Sequence, residues 1–207
     1  MLNQVHKDGA RAAVLKFFYD RPTPSDALLA QEMTGFPTLV QQGIKVPPAT
    51  SEGSAEFKGT SEALVSTIGD AAVGKGFVEV REMGGFDRIE LSALIDGKPM
   101  PSLQLLAAER ATGSQAEISK ESISIAGHKL MLDGLGRAIC PYRTIKLPDA
   151  VSLHSLLSGT EPAAQFKDKL VVIGYLASDT PTINYPHGRQ MPIHEVFYQQ
   201  VSCLIGG

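Results

Sequence analysis

The sequence contains no tryptophan, only two cysteines and no uninterrupted apolar run that approaches the length of a membrane span. No transmembrane helix is therefore predicted, and the first residues lack the basic-then-apolar order of a signal peptide. Cys140 and Cys203 are too few for a secreted disulfide framework and have no zinc-ligand spacing, although one disulfide between them stays open. These absences predict a soluble chain without a structural metal.

An excess of positive charge is also missing. The 19 Lys and Arg residues are balanced by 22 Asp and Glu residues, and the net charge is −3. Proteins that bind nucleic acid need a basic surface to neutralise phosphates, so we expect no nucleic-acid partner. With 43% hydrophobic residues in a chain of 207, the composition suffices for one packed core, and we expect a single domain over residues 1–207.

The order of apolar and polar segments is typical of an α/β fold. Residues 10–19 predict a buried strand, residues 27–33 a short helix and residues 38–42 a second strand, which is the β-α-β order of a parallel sheet. The continuous apolar run 169–175 predicts a strand covered on both faces, and Pro192 opens a final amphipathic helix. We therefore expect a mainly parallel central sheet flanked by helices.

The middle of the chain adds an antiparallel portion. Residues 77–81 and 87–95 alternate apolar with polar side chains, which is typical of strands with one solvent-exposed face. Apolar residues on both sides of Gly127 predict a hairpin. Between these regions, residues 102–111 have helical spacing, and Gly113 stands where a helix ends.

The segment from Gly69 to Lys75 matches the glycine and lysine frame of a phosphate-binding P-loop. Gly76 occupies the place of the magnesium-binding Ser or Thr, and a strand pattern follows where the motif needs a helix. We interpret the segment as a structural turn without a nucleotide.

Asp149, Ser152 and His154 supply the three residue types of a hydrolytic triad. Residues so close on one helix point in different directions, and the chain has no G-x-S-x-G elbow. We interpret them as a capped helix with a partly buried His154, and we expect no catalytic residue.

His187, His194 and Glu195 have no metal-binding frame such as H-x-x-x-H, and Cys140 has no CxxC partner. We therefore expect neither a metal, nor a redox centre, nor a cofactor.

The segment that follows the strand 169–175 is the most informative one, because ligands of open parallel sheets bind beyond the carboxyl ends of the strands. Asp179 and Thr180 lie in that segment, while Lys16 and Asp20 lie at the end of the first strand. A small polar pocket between the two strands is the functional interpretation, and a plain turn is the alternative. The candidate ligand-binding residues are Lys16, Asp20, Asp179, Thr180 and Glu195.

The order of elements resembles the second type of CHASE domain, a sensor module that bacteria place ahead of cyclases and kinases. The resemblance covers nearly the whole chain. The residues that carry it are Gly9-Ala-Arg-Ala-Ala-Val-Leu with Pro22 and Asp26, Pro101-Ser-Leu-Gln-Leu-Leu-Ala, Asp133-Gly-Leu-Gly-Arg, Phe166-Lys-Asp-Lys-Leu-Val-Val-Ile-Gly, Asp179-Thr-Pro, and Met191-Pro.

Three positions depart from the pattern that the resemblance implies. Lys16 stands near the end of the first strand where such domains usually carry an aspartate. Ile193 stands in place of a glycine, and Phe197 in place of a histidine. The change from an acid to Lys16 favours an anionic ligand.

The resemblance implies the extracytoplasmic sensory domain of a bacterial transmembrane receptor with an adenylate or diguanylate cyclase, histidine kinase or serine/threonine kinase output. The chain would then be a soluble piece of a longer inner-membrane protein, located on the periplasmic or extracellular side and flanked by transmembrane helices. Its partners would be an unknown small molecule and a second copy in a homodimer. The alternatives are a small α/β hydrolase or transferase and a ligand-free periplasmic interaction module, which exposed apolar area on the last helix would indicate.

Overall fold

The structure is a computed structural model that describes residues 1–46, 58–78, 88–141, 150–160, 165–175, 180–184 and 190–207. Its centre is a parallel sheet in the order β13-β1-β2-β5. The four strands are β1 (Ala12–Lys16), β2 (Thr38–Gln42), β5 (Gly74–Phe77) and β13 (Leu170–Gly174). The predicted α/β class with a mainly parallel sheet is confirmed.

Two layers of helices flank this sheet. The helices are α1 (Leu2–Lys7), α2 (Asp26–Thr34), α3 (Ser66–Ala71), α4 (Leu103–Thr112), α5 (Leu153–Leu157) and α6 (Ile193–Ile205). On one face, α1, α2, α3 and α5 pack against Ala13, Leu15 and Val40. On the other face, α4 and α6 pack against Val14 and Leu39. Successive residues of β1 alternate between the two layers, so Lys16 follows Val14 onto the α4 and α6 face.

The remaining strands form smaller sheets and pairs. One sheet has the order β3-β4-β7-β8, another the order β11-β10-β9, and the pairs are β12-β6 and β14-β15. These strands are β3 (Ile44–Lys45), β4 (Lys58–Ser61), β6 (Arg88–Ile89), β7 (Ser92–Ile95), β8 (Lys98–Pro101), β9 (Glu117–Ile118), β10 (Ser122–Ile125), β11 (His128–Met131), β12 (Ala138–Ile139), β14 (Thr182–Asn184) and β15 (Gln190–Pro192). The predicted antiparallel hairpin around Gly127 is confirmed as β10 and β11.

Local sequence explains why several elements begin and end where they do. Ser102 caps α4, because its hydroxyl oxygen accepts a hydrogen bond from the backbone N–H of Leu105. The helix ends at Gly113, whose φ of 73° lies in the left-handed region that favours glycine. The start and the end of this helix follow the sequence prediction closely.

The strand β13 is less buried than its continuous apolar sequence predicts. Leu170 to Ile173 are half-buried and Gly174 is exposed, whereas every residue of β1 is buried. Within the described residues β13 pairs with β1 alone and therefore lies at the edge of the sheet. A continuous apolar run indicates a strand in contact with both helix layers, but it does not reveal whether a neighbouring strand covers each side.

The glycine and lysine frame of residues 69–75 spans the end of α3 and the start of β5. The order is helix and then strand, the reverse of a P-loop, and Gly76 pairs with Gln41 inside the sheet.

Candidate functional site

The candidate site lies at the carboxyl edge of the central sheet, where the four parallel strands end. Lys16, the last residue of β1, is 5% exposed. Its Nζ donates a hydrogen bond to the carbonyl oxygen of Ile193 at 3.3 Å and lies 5.0 Å from the centre of the Phe197 ring. Both partners belong to α6, so Lys16 connects the sheet to the last helix.

The charge of Lys16 is not balanced by a described carboxylate. No Asp or Glu of the described residues forms an ion pair with it. Burial lowers the pKa of Lys16 from 10.5 to about 8, because an ammonium group loses its hydration in the protein interior. At neutral pH the group is still mainly protonated, and an anion placed beside it would restore the electrostatic stabilisation that burial removes.

His194 lies next to Lys16 in the first turn of α6. Its Nε2 lies 2.6 Å from the carbonyl oxygen of Tyr175. A carbonyl oxygen only accepts hydrogen bonds, so the proton of the neutral ring is assigned to Nε2. The other ring nitrogen, Nδ1, is buried and has no hydrogen-bond partner among the described residues.

The surroundings of His194 keep its ring neutral. Burial and the positive charge of Lys16 lower the pKa of His194, and the hydrogen bond to Tyr175 opposes this effect only partly. In the neutral ring with its proton on Nε2, Nδ1 is a hydrogen-bond acceptor. The edge therefore presents one buried cationic donor and one buried neutral acceptor.

Two glycines let α4 and α6 approach this edge. The strand registers place Gly174 beside Lys16 and Gly76 beside Gln41, and the register of β1 with β2 brings Lys16 next to Gln41. A Cβ atom on Gly174 would lie 2.7 Å from Cε1 of His194. A Cβ atom on Gly76 would lie 2.6 Å from the backbone nitrogen of Leu103.

This row of Gly174, Lys16, Gln41 and Gly76 crosses the whole sheet. A larger residue at Gly76 would push the start of α4 away from the strands, and one at Gly174 would displace the His194 ring at the start of α6. Both helices therefore begin at the edge where the strands end, with the positive ends of their dipoles toward the same region as Lys16.

A polar contact joins α4 to α6 behind this edge. The side-chain amide of Gln104, which is 2% exposed, donates to Oε1 of Gln200 at 2.8 Å. Oε1 of Gln104 has no hydrogen-bond partner among the described residues. A buried amide pair of this kind fixes the two helices relative to each other, since neither side chain can leave its partner without losing a buried hydrogen bond.

The predicted ligand residues are only partly brought together. Thr180 is buried just before Pro181, whose carbonyl accepts from the backbone N–H of Ile193, so the chain at Thr180 reaches the start of α6 beside Lys16. Glu195 is half-buried in that same first turn but forms no ion pair with Lys16.

Asp20 is placed differently from these residues. It is exposed, and it follows Tyr19, whose carbonyl accepts from Val65 at the start of α3 on the opposite face of the sheet. Asp179 lies outside the described residues.

Sequence reasoning did not single out His194 or Gly174 as parts of the ligand site. The signal was present, since Pro192-Ile-His-Glu opens the last helix and Gly174 ends an apolar strand. What the sequence does not contain is the register that sets Gly174 beside Lys16 and so places the His194 ring next to the ammonium group.

Two residues of the triad pattern, Ser152 and His154, lie in the described part of the chain, and Asp149 lies outside it. The hydroxyl oxygen of Ser152 accepts from the backbone N–H of Ser155 and caps α5, as the capped-helix interpretation predicts. His154 is exposed, so its predicted partial burial is wrong. The helix has only five residues and packs on the core through Leu156, which leaves the side chain of His154 in solvent.

Of the histidines and carboxylates considered as metal ligands in the sequence, His194 and Glu195 lie in the described part of the chain. Within the described ranges, no group of three or more His, Cys, Asp or Glu side chains could hold a metal ion. His187 lies outside these ranges.

The two cysteines form a disulfide between the residue that follows β12 and the last helix, α6. Cys140 and Cys203 have their Cα atoms 6.1 Å apart and are separated by 63 positions in the sequence. The bond ties the second half of α6 to the part of the chain that carries the β10 and β11 hairpin. Disulfides persist in oxidising compartments, so this pairing fits an extracytoplasmic location.

These observations define an α/β domain with a candidate binding site at the carboxyl edge of a parallel sheet. A family model described as the CHASE2 domain matches residues 1–206, and the chain belongs to this family of extracytoplasmic sensory domains. The resemblance drawn from the sequence is confirmed. Comparison with curated proteins and with solved structures finds no match.

Within the described residues, no helix is both long enough and apolar enough to cross a bilayer.

Proposed function

We propose that this chain is the ligand-sensing domain of a bacterial transmembrane receptor and that its ligand is a small anion bound at Lys16. Transmembrane helices would flank the domain, and a cyclase or kinase output domain would lie on the cytoplasmic side. The observation that carries the proposal is the buried ammonium of Lys16, which has no carboxylate partner among the described residues. A buried charge without a partner is costly, and binding proteins keep such charges where a ligand neutralises them.

The contacts of Lys16 supply a route from ligand to output. Lys16 binds the carbonyl oxygen of Ile193 and lies over Phe197, so a ligand that attracts the ammonium acts on the first turns of α6. The second half of α6 is fixed by the disulfide to Cys140. A ligand with different affinity for two positions of the first turns would shift the equilibrium between them, which is what a sensor requires.

The last helix does not support the alternative of a ligand-free interaction module. That alternative predicts exposed apolar area on α6, but every residue from Ile193 to Ile205 is buried or half-buried. The triad pattern does not support the enzyme alternative, because Ser152 caps α5 and His154 is exposed. Membership in a sensory family agrees with a binding function.

Titration of the isotope-labelled chain with propionate, followed by NMR chemical shifts, tests the proposal. We expect saturable shifts around Lys16, Ile193 and Phe197 in the wild-type chain and their loss in Lys16→Met. Lys129→Met is the matched control, because Lys129 is an exposed lysine on β11, and it should bind propionate like the wild type. Equal binding by Lys16→Met, or no binding by the wild type of propionate, lactate, phosphate or sulfate, would overturn the proposal.

A further inference from the structure

The anion site has a second polar group that a simple carboxylate would leave unused. Nδ1 of His194 is buried without a hydrogen-bond partner among the described residues, although His194 as a whole is half-buried. A buried acceptor that stays unpaired costs free energy, and such groups are rare unless something occupies the position beside them. This nitrogen is therefore a feature that a ligand can satisfy.

The proton positions at His194 determine what kind of group it can bind. The carbonyl oxygen of Tyr175 holds the ring proton on Nε2, which leaves Nδ1 as an acceptor. The positive charge of Lys16 opposes a second proton on the ring. Nδ1 consequently needs a donor from outside, and an uncharged O–H suits it better than an ammonium group, which Lys16 would repel.

The two groups are neighbours at the edge of the sheet. Lys16 and Gly174 are register partners on β1 and β13, and a Cβ atom on Gly174 would lie 2.9 Å from Nδ1 of His194. Lys16 also binds Ile193, the residue directly before His194. Gly174 and Tyr175, which border this pair on the β13 side, are exposed within the described residues.

We infer that the ligand carries an O–H donor beside its anionic oxygen, with the anion on the Lys16 ammonium and the O–H on Nδ1 of His194. This inference rests on the proposed function and adds the chemical class of the ligand. Small hydroxycarboxylates have this pair of groups, and so does phosphate in its protonated forms. Simple carboxylates and sulfate have the anion without the donor.

Two matched pairs of probes test the inference: lactate against propionate, and phosphate against sulfate. In NMR titrations at neutral pH, the wild-type chain should bind the donor-bearing member of at least one pair roughly fivefold more tightly, which is the size of one net hydrogen bond. The pair that shows the preference distinguishes a hydroxycarboxylate from phosphate. Equal affinities within both pairs would overturn the inference.

His194→Gln keeps a donor for the carbonyl of Tyr175 and lacks an acceptor at the position of Nδ1. It should bind propionate like the wild type and lose the preference for lactate, or for phosphate if that pair shows it. A preference that persists in His194→Gln would contradict the role of Nδ1. In the wild-type chain, the ¹⁵N resonance of Nδ1 should move with the preferred probe and stay in place with its matched partner, a readout that does not depend on folding of the variant.

Failure of the inference can be told apart from failure of the proposed function. Propionate that binds in a Lys16-dependent way, with no preference for lactate or phosphate, would refute the donor requirement and leave the anion site intact. No Lys16-dependent binding of any of the four probes would refute both.

Discussion

The Nζ atom of Lys16 lies 5.0 Å from the centre of the Phe197 ring. Lys16 and Phe197 occupy two of the three positions at which the sequence departs from the pattern that the resemblance implies. That pattern has an aspartate at the first position and a histidine at the second. The ammonium of Lys16 lies over an aromatic face, so the sign of the charge at this position is reversed relative to the acid that the resemblance implies. The reversal gives a physical reason to expect an anion at this edge of the sheet.

Replacing Lys16 by methionine should stabilise the chain in the absence of ligand. Methionine keeps an unbranched side chain against Phe197 and removes a buried charge that has no described carboxylate partner. We expect the free energy of unfolding at neutral pH to rise by about 1–3 kcal/mol, measured by urea denaturation. Lys129→Met, at an exposed position, should change it by less than about 0.5 kcal/mol. Destabilisation by Lys16→Met larger than by Lys129→Met would contradict an uncompensated charge.

The same charge predicts a pH dependence with a defined sign. Burial lowers the pKa of Lys16 from 10.5 in the unfolded chain to about 8 in the folded chain. Between these values the unfolded chain binds more protons, so the free energy of unfolding should rise with pH by up to about 3 kcal/mol relative to Lys16→Met. Below pH 8 the difference should stay constant.

Tyr19 acts in the opposite direction above pH 10, because burial and the charge of Asp26 raise its pKa to about 12. It is present in both chains, so its contribution cancels in the difference between wild type and Lys16→Met. A difference that does not change between pH 8 and 10 would show that Lys16 titrates normally.

Gly174→Ala should displace the ring of His194. The added methyl group would lie 2.7 Å from Cε1 of the ring, closer than carbon atoms approach in real structures. We expect a loss of about 1–3 kcal/mol in the free energy of unfolding and a changed ¹⁵N resonance of Nε2, since the bond to Tyr175 must lengthen. Gly134→Ala is the matched control, because nothing lies within 4 Å of a Cβ atom there. Equal, small effects of both substitutions would contradict the close approach.

The double variant Cys140→Ala with Cys203→Ala should lower the free energy of unfolding. The disulfide closes a loop across 63 sequence positions, and cross-links of this span contribute about 2–4 kcal/mol. Reductant should destabilise the wild-type chain by a similar amount and leave the double variant unchanged. Free thiols in the folded wild-type chain after oxidative purification, measured with a thiol reagent, would contradict the pairing.

Much of the fold could be predicted because local signals agreed with the tertiary structure. The apolar residues of β1, the cap at Ser102 and the left-handed glycine at 113 each determine an element from a few neighbouring residues. The half-buried state of β13 could not be predicted, since burial of a strand depends on which other strands lie beside it. The disulfide was open for the same reason, because 63 positions separate its two cysteines.

The candidate site could also be predicted only where local sequence determines the position of a residue. The location of Lys16 and Thr180 near this edge of the sheet could be predicted, because the sequence shows where the parallel strands end. His194 and its unpaired Nδ1 depend on the register of β1 with β13 and on the angle at which α6 meets the sheet. No pattern within one segment contains that information. Asp20 was selected by distance along the chain, and the turn after β1 leads it to the other face.

The most direct test of the anion site is the pKa of Lys16 itself, measured by NMR on chain labelled at the lysine side chains, without ligand and with saturating lactate or phosphate. We expect a pKa of about 8 for the free chain. With the probe that binds, we expect the pKa to rise toward the ordinary lysine value of 10.5, because a bound anion stabilises the ammonium form. A pKa that both probes leave unchanged, or an ordinary lysine pKa in the free chain, would contradict an anion site at Lys16.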